Sequence, residues 1–174
     1  MATQEPKTVA FVLYPGITLL DMVGPLQVFS VLQGFNDQYR PVVVADRIEP
    51  MPTDTPLTVI ADKTFDEVPD PAVVLVPGGG APTIKAMGNP VIRDYLQRVA
   101  GTSELVGSVC TGAMILAAAG LLEGRNAPPT GPTTACWSAW ALPTSRNDGS
   151  RTARSSPRPG CQPGSTWPWR WSPG

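Results

Sequence analysis

Residues 1–126 predict an α/β fold in which a mostly parallel sheet is covered by helices on both faces. Three observations carry this. Short unbroken apolar runs rich in Val recur along the chain, helical patterns separate them, and turns containing Pro or Gly close them. Strands buried on both faces read as continuous apolar runs, and helical crossovers join parallel neighbours.

Thr8–Leu13 (TVAFVL) is a β-branched run ended by Tyr14-Pro15-Gly16, a buried strand and a turn. Leu19–Phe35 spaces its apolar residues as a helix does. Pro25 is tolerated only near a helix start, which places the start of the helix proper close to Gly24. Pro41–Ala45 is a second buried strand, and Leu57–Ala61 a weaker one in a Pro- and Asp-rich crossing. Ala72–Val76 is another buried strand, closed by Pro77-Gly78-Gly79-Gly80. Asn89 suits a helix cap and Pro90 a first helical position, giving a helix through Ala100. Glu104–Val109 is a strand, and Thr111–Ala119 an Ala-rich helix stopped by Gly120.

The remaining residues, 127–174, are a different text. Residues 1–126 hold all 17 Val, all 6 Ile and 12 of the 13 Leu, with a net charge of −5. Residues 127–174 hold nine Pro, seven Ser, six Thr, five Arg and all five Trp, with a net charge of +4. One Leu and no β-branched aliphatics cannot bury enough apolar area to offset ordering entropy. The composition therefore predicts a domain over 1–126 and a low-complexity, unstructured tail over 127–174.

Several function classes fall away. No apolar run approaches the ~18 residues of a membrane helix. The opening MATQEPKTVAFVLYPG lacks a basic start and a cleavable apolar stretch, so a cytoplasmic protein is expected. Three Cys without CxxC spacing argue against a disulfide framework or a structural zinc site. The absence of His removes the commonest metal ligand and the usual general base. The Arg-bearing tail has no helical period, so a nucleic-acid recognition helix is not expected.

Ligands of open parallel sheets bind beyond the carboxyl ends of the strands. Tyr14–Asp21, Pro77–Gly80 and Cys110-Thr111 all fall at such ends and should converge. Cys110 sits in Gly107-Ser108-Val109-Cys110-Thr111-Gly112-Ala113, the layout of a sharp strand-to-helix elbow that lifts a nucleophile above the sheet. A following helix N-terminus favours thiolate. The alternative reading is a buried structural cysteine. Gly78, Gly79 and Gly80 are either a flexible turn or a set of backbone N–H donors for an oxyanion. Asp21, inside an apolar stretch, is either a helix cap or a carboxyl held for proton transfer, its pKa raised by burial. Thr111 is either a helix-start residue or a hydroxyl for substrate.

Tyr14-Pro15-Gly16 with Leu20-Asp21-x-x-Gly24-Pro25, Val76-Pro77-Gly78-Gly79 and Ser108-Val109-Cys110-Thr111-Gly112-Ala113 resemble the ThiJ/PfpI superfamily over residues 8–126. The resemblance implies a flavodoxin-like three-layer sandwich, cut short after the elbow helix. It is strongest to the isonitrile hydratase branch and to the sensing domains of AraC-type regulators. In the hydratases the elbow Cys is the nucleophile, the Asp of the Leu-Asp motif the acid/base, and the following Thr an assistant. Those roles map onto Cys110, Asp21 and Thr111. The implied activity is cofactor- and metal-free hydration of an isonitrile to an N-substituted formamide by a homodimer. The alternatives are a non-catalytic sensor, which would touch nucleic acid only through a downstream helix-turn-helix domain, and a glyoxalase or deglycase, which would favour a Glu partner.

The resemblance ends near Ala127, where the family continues Thr-Thr-His-Trp. Pro128-Pro129-Thr130-Gly131 is encoded CCN CCN ACN GGN, and the frame one base earlier contains that missing motif. Read in the same frame, Gly160–Trp171 permits Val-Ser-Ala-Gly-Ile-Asp-Met-Ala-Leu-Ala-Leu, similar to the family's late strand-turn-helix motif. The tail therefore reads as a shifted frame.

Overall fold

The computed structural model describes residues 5–35, 37–123 and the backbone of 140–143. In chain order these form β1 (Lys7–Val12), α1 (Leu19–Phe35), β2 (Tyr39–Ala45), β3 (Met51–Pro52), β4 (Thr58–Val59) and β5 (Lys63–Thr64). There follow β6 (Val73–Val76), α2 (Ala81–Met87), α3 (Pro90–Ala100), β7 (Leu105–Ser108), α4 (Gly112–Ala118) and β8 (Trp140–Pro143).

One sheet runs in the order β5-β2-β1-β6-β7-β8. Its first five strands are parallel, with Phe11 level with Val43 on one side and Leu75 on the other. Residues 9–13 of the central strand and its exit are fully buried, as the unbroken apolar run requires. Helix α1 packs on β1 and β2, while α2, α3 and α4 pack together and, through α4, on β6 and β7. The result is a flavodoxin-like α/β arrangement. Strand order reverses between β1 and β6, and such switch points open a crevice at the carboxyl ends of the strands.

Several local expectations hold. Asn89 caps α3, its Oδ1 accepting the Val91 N–H at 2.9 Å. Gly120, at φ +75°, ends α4, and the Leu121 N–H reaches back to the Leu116 carbonyl at 3.0 Å. Others need correction. Helix α1 begins at Leu19 instead of near Gly24, because Asp54 Oδ1 accepts the Leu19 N–H at 2.9 Å from a distant loop. Pro25 stays inside the helix, where it withholds the N–H that would bond the Asp21 carbonyl. Leu57–Ala61 supplies only β4, which pairs with β3 in a separate antiparallel ribbon. Helix α2, seven residues long, is too short to show a helical period.

The expectation of no regular structure in the tail is also corrected at one place. Strand β8 pairs antiparallel with β7 and extends the sheet beyond the elbow helix. Ala139-Trp140-Ala141-Leu142 is the tail's longest run of apolar residues, and Pro143 is acceptable at the end of an edge strand. The rest of that expectation lies outside the described residues.

Candidate active site

The three predicted segments converge at the carboxyl end of the sheet. Cys110 follows β7 and holds φ +53°, the one left-handed residue other than Gly among those described. A side chain there costs roughly 1–2 kcal/mol. The turn is clamped on both sides: the Val109 N–H donates to the Val76 carbonyl at 3.0 Å, and the Gly112 N–H to the Val109 carbonyl at 3.0 Å. Gly112 is obligatory, since a Cβ there would strike the Val76 carbonyl oxygen. The elbow leaves the thiol exposed, which rules out the reading of Cys110 as a buried structural cysteine.

Asp21 lies in the first turn of α1 and is 5% exposed. Burial raises its pKa; the Cys110 thiol and the Gly78 N–H, both against the carboxyl, pull the other way, and the Asp54 charge adds to the rise. Its Oδ2 is buried without a hydrogen-bond partner among the described residues. The absence of a side chain on Gly78 lets the site close. A Cβ there would lie 2.7 Å from Thr111 Oγ1 and 2.8 Å from Asp21 Oδ2.

The glycines take up different duties. The Gly78 carbonyl accepts the Thr18 N–H at 2.8 Å, which ties the loop after β1 to the loop after β6. The Gly79 N–H donates to Thr111 Oγ1 at 3.1 Å, so it meets a hydroxyl instead of open space. Gly80, at φ +51°, is exposed and caps α2. Thr111 sits between Cys110 and α4.

Two side chains of the site have no assigned role in the sequence reading. Tyr14 is buried, and its OH donates to the Pro77 carbonyl at 2.9 Å. Thr83, fully buried on α2, lies 3.3 Å from the Tyr14 oxygen and 3.0 Å from Thr111 Oγ1. The Tyr14 pKa is pushed up to about 12, first by burial and also by Asp21 and Cys110, against the Thr83 hydrogen bond. Pro82 in the first turn of α2 was the one sequence signal for the helix that carries Thr83. No group of His, Cys, Asp and Glu among the described residues is arranged to hold a metal ion. No described helix is long and apolar enough to cross a membrane.

Residues 7–134 match the model of the DJ-1/PfpI family. The chain belongs to the DJ-1/PfpI family. The match runs a few residues past 126, where the motif resemblance ends. The chain is 34% identical over 119 residues to the isonitrile hydratase of Pseudomonas putida, covering 68% of this chain and 50% of that protein. It is 27% identical over 118 residues to the HTH-type transcriptional regulator CdhR of Pseudomonas aeruginosa, covering 67% of this chain and 34% of that protein. Among solved structures, a ThiJ/PfpI family protein from Pseudomonas syringae superposes with a TM-score of 0.64 at 31% identity, over 68% of this chain and 48% of that one. The chain thus spans about half the length of the hydratase and of that structure.

Proposed function

We propose that this DJ-1/PfpI chain carries the nucleophile and acid/base of a hydratase acting on isonitriles. The observation that carries the proposal is the buried Asp21 carboxyl against an exposed Cys110 on a strained elbow. A carboxyl whose pKa is raised by burial can hold a proton next to a thiolate and deliver it.

The reaction balances with these two groups and water. The Cys110 thiolate adds to the isonitrile carbon while Asp21 protonates that carbon, giving a thioimidate. Water adds to the thioimidate carbon and protonates its nitrogen. The hydroxyl of the adduct returns a proton to Asp21 as the C–S bond breaks. The thiolate leaves and the N-substituted formamide is released. Thr111 and the glycine turn line the reacting centre. For Gly79 to steady developing charge, its N–H must exchange Thr111 Oγ1 for substrate.

The reading includes a cytoplasmic location and, resting on the family resemblance, a small-molecule substrate, no cofactor and a homodimer. The shifted frame after Ala127 belongs to it too, and sequencing the gene across the codons for Arg125 to Thr130 tests that part. The functional test is N-cyclohexylformamide production from cyclohexyl isocyanide by the present chain and by its frame-restored form. Turnover no higher than that of Cys110→Ala in both forms overturns the hydratase reading.

The match to CdhR supports a second reading, a sensing domain that binds a small ligand without turning it over. A helix-turn-helix domain encoded downstream in the restored frame would favour it.

A further inference from the structure

The first turn of α1 is weakly joined to the rest of its helix. Gly24 and Pro25, the two residue types that favour helix least, follow it directly. Pro25 has no N–H to offer the Asp21 carbonyl, so the hydrogen-bond ladder lacks a rung there. Asp21 stands in that turn, and its carboxyl lies against the Cys110 thiol and the Gly78 N–H. Its place therefore depends on what holds residues 19–23 from outside the helix.

Most of that hold runs from backbone to backbone and falls just before the helix. The Gly16 N–H donates to the Pro52 carbonyl at 2.7 Å, the Asp54 N–H to the Ile17 carbonyl at 2.9 Å, and the Thr18 N–H to the Gly78 carbonyl at 2.8 Å. Ile17 and Thr53 form a parallel bridge. These bonds fix the entry at 16–18 whatever side chains stand there. In the turn itself, apart from the contacts that Asp21 makes, the hydrogen bond from another element comes from a side chain. Asp54 Oδ1 accepts the Leu19 N–H at 2.9 Å. Met22, buried in the same turn, keeps it on the core but satisfies no amide. We propose that Asp54 is a positioning residue which, through the Leu19 N–H, holds the first turn of α1 and so keeps the Asp21 carboxyl against Cys110. The purpose follows from the hydratase reading, on which this rests: an acid that delivers a proton beside the thiolate must be held in place when the thiolate adds.

The ionisable groups facing Asp21 are Cys110 from the elbow, Tyr14 from the end of β1, and Asp54 itself from the loop after β3. Asp54 therefore brings a like charge as well as a hydrogen-bond acceptor, and the experiment must separate the two. Asp54→Asn keeps an acceptor for the Leu19 N–H and removes the charge. Asp54→Ala removes both.

The experiment is a carbon-detected NMR titration of the Asp21 carboxyl in the 174-residue chain. Asp54→Asn should lower its proton affinity by at most about fivefold, the reach of one exposed charge. Asp54→Ala should lower it about tenfold further, because burial is the main cause of the raised pKa and a loosened turn admits water. Its Leu19 amide should also exchange with deuterium faster than in Asp54→Asn. Pro25→Ala supplies the rescue, since it gives the Asp21 carbonyl its N–H and holds the turn from inside the helix. Asp54→Ala/Pro25→Ala should therefore return to the Asp54→Asn midpoint, and this variant decides the matter if Asp54→Ala does not fold. An Asp54→Ala midpoint equal to that of Asp54→Asn, or a double variant that does not return to it, overturns the proposal. Isonitrile turnover is scored separately. Its absence from wild type with the expected midpoints defeats the hydratase reading alone, and turnover with equal Asn and Ala midpoints defeats the positioning role alone.

Discussion

Replacing Gly112 by Ala tests whether the elbow is held by backbone contact. Its Cβ would run into the Val76 carbonyl oxygen and lie 2.9 Å from both the Pro77 carbonyl oxygen and the Val76 carbonyl carbon. All three atoms belong to the backbone at the end of β6, so none can swing aside as a side-chain tip would. Overpacking against rigid neighbours costs about 1–3 kcal/mol, and here the upper part of that range applies. Ala at a helix start returns at most about 1 kcal/mol of helix propensity. The net loss is about 2 kcal/mol, or about 4–8 °C in melting temperature for a chain of this size. Gly34, near the end of α1 with nothing within 4 Å of its Cβ position, supplies the control. Gly34→Ala should stabilise by about 0.5 kcal/mol. Urea unfolding measures both. Displacing the elbow should also change the rate of Cys110 alkylation by iodoacetamide in Gly112→Ala and leave it unchanged in Gly34→Ala. A wild-type urea midpoint for Gly112→Ala would refute the steric argument.

Three further outcomes are expected. Asp21 has a folded-state pKa raised by burial above its unfolded value, so the native state binds the extra proton and stability falls as pH rises between those two values. Asp21→Asn should abolish that decline, leaving the variant more stable than wild type at neutral pH but without isonitrile turnover; urea midpoints across the acid to neutral range check it. Cys110→Gly relieves the left-handed strain at φ +53° and should gain about 1 kcal/mol while losing alkylation at position 110. Asn89→Ala removes the bond to the Val91 N–H and should cost about 1 kcal/mol in urea unfolding with Cys110 alkylation unchanged, because the bond lies within the first turn of α3 itself.

The buried parallel strands were legible because a strand covered on both faces must be apolar without interruption. Val9–Leu13, Val42–Ala45 and Val73–Val76 have no other reading of comparable strength. The cap of α3 and the stop of α4 were legible because Asn89 and Gly120 act within their own turns. Short elements were not: β5 has two residues, and its place at the sheet edge comes from pairing with Val44 and Ala45. Strand β8 was hidden because the average composition of the tail outweighs one four-residue apolar run, while pairing to β7 needs no more than that run.

The site divides along the same line. Cys110, Asp21 and Gly78 stand in short motifs at strand exits, and the α/β topology brings those exits together. Thr83 and Tyr14 meet across 69 positions through two hydroxyls, and neither residue type is unusual where it stands. The start of α1 shows how such a long-range contact can decide local structure and chemistry together. Local rules place the start near Gly24, which would leave Asp21 in a loop. Asp54 instead accepts the Leu19 N–H and begins the helix early enough to bring Asp21 into its first turn. A carboxylate in a first turn is ordinarily stabilised by the helix dipole, yet here burial outweighs that effect, and the Asp54 charge pushes the same way. One loop residue thus positions the acid and adds to the rise in its pKa, and neither role can be inferred from residues 19–25 alone.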